Sequence, residues 1–143
     1  MRRFVIDASL AVKWLPLFAS ESLVSEATRF LERHSAGELE LLVPDLFWPE
    51  VANVLWKSVQ RRSCRPEEAS AALSTLQDQD LATVSSLALA LPALGIAMRH
   101  HRSVYDSLYV ALAVASHSEL VTADQRLANA LGGHLPVKWL GAF

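Results

Sequence analysis

The sequence predicts a three-layer α/β/α fold with a mainly parallel central sheet, and three observations predict it. Short apolar runs alternate with longer stretches of helical periodicity, the pattern that builds parallel sheets from strand–helix–strand units. Two of those runs end directly in an aspartate that opens the following helix. The chain is 143 residues long and 52% hydrophobic, with only 20% charged residues, enough apolar material for one well-filled core and too much for a disordered chain.

The elements follow in order. Phe4 to Ile6 is a short apolar strand, and Asp7-Ala8-Ser9 turns it into a stretch of helical character through Leu10, Ala11, Val12, Trp14 and Leu15. Leu41 to Val43 is the second strand, left through Pro44-Asp45. Leu46 to Val59 then reads as a helix with apolar positions at Leu46, Val51, Val54 and Leu55, and with Glu50 about one turn in. Arg61, Arg62 and Arg65 mark an exposed turn before a helix that begins near Pro66. Leu81 to Val84 is a third strand, followed by a turn and a helix expected to be buried, because no charge interrupts Leu81 to Met98. That run approaches membrane length, but Thr83, Ser85, Ser86, Pro92 and Gly95 fit a core element better than a membrane span. Ser103 opens a helix from Val104 to Ser116. Leu120 to Thr122 is a strand, Ala123-Asp124 a turn, and Gln125 to Leu131 a short helix closed by Gly132-Gly133. A last strand lies near Val137 to Trp139. Residues 1–143 read as a single domain.

Four acids occupy telling places in this scheme. Asp7 and Asp124 follow strands, at the carboxyl edge of a parallel sheet where ligands bind. Glu50 and Asp106 lie near the starts of two helices. Asp106 is the sharpest anomaly: its helix is otherwise apolar all round, so its carboxylate should be paired, protonated or metal-bound. Read singly, Asp7 and Asp124 serve equally well as helix caps, each worth about 1 kcal/mol, and Glu50 as a solvated acid favoured by the helix dipole. Read together they suggest a cage for a divalent cation. Two carboxylates at about 4 Å repel by about 4 kcal/mol at an effective dielectric of about 20, so a shared acidic pocket calls for a counter-ion. Pairing of Asp106 with Arg99 or Arg102 is the competing reading, and those arginines are expected to face water instead.

Four ordered segments carry a resemblance: VIDASLAVKWL at 5–15, PDLFWPEVANVLWK at 44–57, YDSLYVALA at 105–113 and LVTADQRL at 120–127. They resemble the PIN domain nucleases, and most closely the VapC-type toxins of bacterial toxin–antitoxin pairs, over nearly the whole chain. The resemblance implies a metal-dependent endoribonuclease that hydrolyses RNA phosphodiester bonds. Its catalytic and metal-holding acids would be Asp7, Glu50, Asp106 and Asp124, its cofactor Mg²⁺ or Mn²⁺, and its polar supports Ser9, Asn53 and Thr122. It further implies a VapB-like antitoxin protein as partner and a homodimer. A PIN-like module that binds RNA or protein without cutting is the alternative. A phosphoryl-accepting receiver would show adjacent acids after the first strand, and a dehalogenase-type phosphatase a second aspartate at position 9, where this chain has Ser9.

The remaining features bound this reading. The net charge of −2 argues against nucleic acid at first, but 13 basic residues face 15 acidic ones, and only 11 once the four acids are neutralised by metal. Arg99 and Arg102, in the cluster Arg99-His100-His101-Arg102, are candidate RNA contacts; a solvated helix end is the equal alternative. The four tryptophans read as packing residues rather than a stacking platform. Leu46, Phe47 and Trp48 together suggest an exposed apolar patch for a partner. A single cysteine, Cys64, excludes an internal disulfide and has no zinc-spaced neighbours, which fits a reducing cytoplasm. No export signal is expected, because Asp7 and Lys13 interrupt the apolar start.

Overall fold

A computed structural model describes all of residues 1–143. Five strands, β1 (Arg2–Ile6), β2 (Leu39–Pro44), β3 (Ala82–Val84), β4 (Glu119–Thr122) and β5 (Val137–Trp139), form one sheet in the order β3-β2-β1-β4-β5. Every pairing is parallel. Phe4, Val5 and Ile6 of the central strand are all buried, as befits a strand covered on both sides.

Seven helices connect the strands: α1 (Ala8–Ala11), α2 (Val24–Ser35), α3 (Phe47–Gln60), α4 (Pro66–Gln77), α5 (Ser86–His100), α6 (Val104–Ala115) and α7 (Gln125–Leu131). From β1 the chain steps outward to β2 and β3, then crosses back to β4 and on to β5. With right-handed crossovers these opposite directions put α2, α3 and α4 on one face and α5, α6 and α7 on the other, giving the three layers expected. The step from β3 back to β4 leaves β1 between strands of opposite winding, and the crevice at its carboxyl end is the point where such sheets bind ligands.

The register fixes what meets there. Ile6 pairs with Val121, so the next residues, Asp7 and Thr122, emerge side by side. α6 lies across β1, β2 and β4 and buries every residue from Ser107 to Ala113.

The structure corrects two expectations and adds a helix that the sequence reading did not assign. The uncharged helix α5 is not buried. It packs mainly on α6 along Leu89, Ala93 and Ala97, and leaves Leu87 (87%), Leu91 (80%), Leu94 (44%) and Met98 (66%) exposed. α6 already covers the sheet, so α5 has only one neighbour to offer a face to. Secondly, Leu46-Phe47-Trp48 is not a surface patch: Phe47 is fully buried, Leu46 and Trp48 pack on the core, and Trp48 donates its indole N–H to Thr83 Oγ1 at 3.1 Å. The added helix, α2, was not evident in the sequence. It buries only Ala27 and Phe30, too few apolar positions for a clear periodic signal. No helix is long and apolar enough to cross a membrane.

Candidate active site

Asp7 is the most constrained of the four acids. It caps α1 by accepting the Leu10 N–H on Oδ1 at 3.2 Å. The Ser9 hydroxyl donates to the same oxygen at 2.6 Å, and the Thr122 hydroxyl donates to Oδ2 at 2.5 Å. Both hydroxyls serve again: Ser9 Oγ accepts the Ala123 N–H at 3.1 Å and Thr122 Oγ1 the Asp124 N–H at 3.0 Å. This network stitches the β1 turn to the β4 turn. Burial pushes the Asp7 carboxyl up to about 6 against the lowering effect of these donors, and the charge of Glu50 adds to the rise. A carboxylate offers about four lone-pair directions. Three donors leave one, on Oδ2.

Glu50 stands in the first turn of α3, half-buried, and its Oε1 accepts the hydroxyl of Tyr109 at 2.5 Å. Its carboxyl is also raised, by burial first and by the charge of Asp106. Tyr109 is itself raised, chiefly by burial and then by its bond to Glu50, so it stays a neutral donor.

Asp106 opens α6 behind its cap Ser103, whose Oγ accepts the Asp106 N–H at 3.0 Å. Arg102 approaches Asp106 Oδ2 to 3.2 Å. The expectation that Arg102 faces water is therefore corrected: its side chain is only 26% exposed and its Nε is buried without a hydrogen-bond partner. His101, in the left-handed region at φ 55°, ends α5 and turns the chain so that Arg102 lies one helical step from Asp106. Arg99 is exposed. Asp124 is exposed too; it caps α7 through Oδ1, which accepts the Leu127 N–H at 3.2 Å.

The four acids thus share the carboxyl edge of the sheet but do not form a closed cage. Asp7, Glu50 and Asp106 sense one another's charge in sequence, and Asp124 joins through the Thr122 hydroxyl. No three stand close enough to grip one ion as they are. Arg102 engages Asp106, while Tyr109 fixes one oxygen of Glu50 and leaves the other without a protein donor. Asn53 lies exposed on α3 with no hydrogen bond to any of the acids. Two residues had escaped notice. Tyr109 is signalled only by being three residues from Asp106 on one helix. Asp45 is a further acid at this edge, where its Oδ2 accepts the Ser86 N–H at 3.1 Å.

A hard divalent cation fits this edge by donor type. All four side chains offer oxygen, the ligand such ions require, and the raised carboxyls of Asp7 and Glu50 are those that a nearby cation would relieve.

An all-parallel sheet of this order, with acids at its carboxyl edge and hydroxyls holding the central one, defines a class. The chain belongs to the PIN domain family, whose model matches residues 4–131. Among individual proteins it is similar to Ribonuclease VapC3 of Pyrobaculum aerophilum, with 35% identity over 130 residues that cover 89% of this chain and 93% of that one. In fold it resembles the crystal structure of PAE2754 from Pyrobaculum aerophilum, with a TM-score of 0.71, 22% identity, and coverage of 99% of this chain and 85% of the other. It also resembles VapBC2 from Rickettsia felis bound to a DNA fragment from their promoter, with a TM-score of 0.67, 12% identity, and coverage of 96% and 98%.

Proposed function

We propose that this chain is a Mg²⁺- or Mn²⁺-dependent endoribonuclease, acting as one domain over residues 1–143 and serving as the toxin of a toxin–antitoxin pair. The observation that carries the reading is Asp7: a buried carboxylate at the switch point of the sheet, held by two hydroxyls and raised toward neutrality, beside three more acids on one edge. The likeness to Ribonuclease VapC3 supplies RNA as the substrate. The likeness to VapBC2 supplies a VapB-like antitoxin as the partner.

In this reading Asp7, Glu50 and Asp106 would hold the cation, Asp106 at the expense of its contact with Arg102. Bound there, a divalent cation would lower the pKa of water and offset charge gathering on the scissile phosphate. Asp124 has Oδ1 committed to the Leu127 amide and is otherwise exposed, so it would be the acid free to accept a proton from water. Asp7 itself is too enclosed for that task. Arg99, exposed at the end of α5, contacts RNA phosphates; Arg102 is already committed to Asp106. The stripe of Leu87, Leu91, Leu94 and Met98 is the face we assign to a homodimer. An apolar groove of about 410 Å³ lined by Trp14, Leu17, Leu55, Ala69 and Ala72 suits an apolar segment of the antitoxin. The lone cysteine, Cys64, is free, which suits the cytoplasm.

The test is cleavage of structured and single-stranded RNAs by the purified protein and by Asp106→Asn, with Mn²⁺ or Mg²⁺ and with chelator. The expected result is cutting that requires both the ion and Asp106. Cutting by well-folded Asp106→Asn at the wild-type rate would overturn the assignment. Absence of cutting of any RNA would favour the non-cleaving binding module.

A further inference from the structure

Each acid of the site has its own restraint, and the restraint on Glu50 is the least expected. Asp7 and Asp124 are short side chains fixed by the backbone amides they cap, and Asp106 is held by Arg102, which lies just ahead of the α6 cap Ser103. Glu50 is longer, only partly buried and free to rotate about three side-chain bonds. Its carboxylate has a single hydrogen-bond partner in the protein, the hydroxyl of Tyr109, 59 residues away in sequence.

Tyr109 is built for that contact. It is 3% exposed, within the run Ser107 to Ala113 that α6 buries against the sheet, so its ring cannot follow the motions of a surface side chain. A phenol has one proton to donate, and here it goes to Oε1 of Glu50. That leaves Oε2 without a protein donor. Tyr109 also lies one helical turn beyond Asp106 on the same face of α6, so one rigid helix carries one acid and orients another.

We infer that Tyr109 is a positioning residue: its hydroxyl holds one oxygen of Glu50 so that the other points to the divalent cation of the site. This rests on Glu50 being a cation-holding acid, as proposed above. Tyr109 touches neither ion nor RNA. Its effect passes wholly through Glu50, and that distinguishes it from a residue that merely joins α3 to α6.

The test is calorimetric titration of Mn²⁺ into the full-length wild type, Tyr109→Phe, Glu50→Gln and the double variant, with thermal unfolding of each in chelator. Tyr109→Phe keeps the ring and removes only the hydroxyl. The expected result is Mn²⁺ affinity about 10-fold weaker in Tyr109→Phe, in the range seen when a group that orients a metal ligand is removed, with no further loss when the same change is made in Glu50→Gln. In RNA cleavage, kcat falls at fixed Mn²⁺ while KM for RNA holds. Wild-type Mn²⁺ affinity in Tyr109→Phe would overturn the inference, and so would an equal loss in the Glu50→Gln background. If Glu50→Gln itself binds Mn²⁺ as the wild type does, the reading of Glu50 fails, and the inference with it. If Glu50→Gln weakens binding while Tyr109→Phe does not, the role of Tyr109 alone fails.

Discussion

Replacing Asp7 by Asn should stabilise the protein at neutral and alkaline pH while destroying cleavage. The Asp7 carboxyl rises from 3.8 to about 6 on folding, mainly because burial disfavours its charge. The folded protein therefore holds a proton there that the unfolded chain has released between those two values, so stability is full below about pH 4 and is lost as pH rises through about 6. The loss is about 3 kcal/mol once the group is fully ionised. Asn carries no charge and escapes that loss. It also cannot accept from both hydroxyls: one of its two atoms is a donor, so the bond from Ser9 or from Thr122 is lost, at about 1 kcal/mol. The net gain at about pH 8 is about 1–2 kcal/mol, or about 3–8 °C in Tm for a chain of this length. At about pH 4 only the lost hydrogen bond remains, and the variant melts slightly below the wild type. Thermal unfolding of both proteins across this pH range, in chelator, measures the difference. A variant that melts below the wild type by the same margin at both ends would refute the reasoning. Mn²⁺ at alkaline pH should narrow or reverse the gap, since it stabilises only the protein whose acid can hold it.

Other consequences concern the arginines and the apolar face. Arg102→Gln frees Asp106 from its cation and should tighten Mn²⁺ binding, with a stability change of about 1 kcal/mol for this single part-buried pair; weaker Mn²⁺ binding would contradict it. Arg99→Gln should reduce the salt slope of RNA binding by about 1, while Arg102→Gln leaves it nearly unchanged; filter binding across salt concentrations separates the two. Phe47→Ala should cost about 3–5 kcal/mol in urea unfolding. Leu91→Asp should change the stability of the isolated chain by only about 0.5 kcal/mol, yet shift sedimentation from dimer to monomer. A dimer that survives Leu91→Asp would assign the α5 stripe elsewhere.

The strands and the helix starts were legible because they rest on local signals. Asp7 and Asp124 follow apolar runs directly, Ser103 precedes an apolar helix, and the structure places each of the three as a cap. The pairing of Asp7 with Thr122 was foreshadowed too, since both end strands that a parallel sheet brings to one edge. What stayed hidden depends on which side of an element faces what. An all-apolar helix such as α5 has no phase, so its sequence does not say that Leu89, Ala93 and Ala97 face inward and Leu87, Leu91, Leu94 and Met98 outward. Phe47 drops into the core although its neighbours suggested a patch. The contact between Tyr109 and Glu50 spans two helices and has no sequence spacing to betray it. Arg102 is different: it stands four residues before Asp106, just ahead of the α6 cap Ser103, and the structure sets its guanidinium on the Asp106 carboxylate rather than in water.

Everything proposed for this site rests on divalent-cation binding by the acids at the carboxyl end of β1. Anomalous diffraction from crystals grown with Mn²⁺ tests it most directly, because it locates the ion without reference to any substrate. The expected peak lies about 2.0–2.2 Å from a carboxylate oxygen of Asp7, a spacing typical of a small divalent ion, with Glu50 or Asp106 as a second ligand and Asp106 turned away from Arg102. Crystals that show Mn²⁺ elsewhere on the protein, with Asp106 still on Arg102 and no peak beside Asp7, would contradict it.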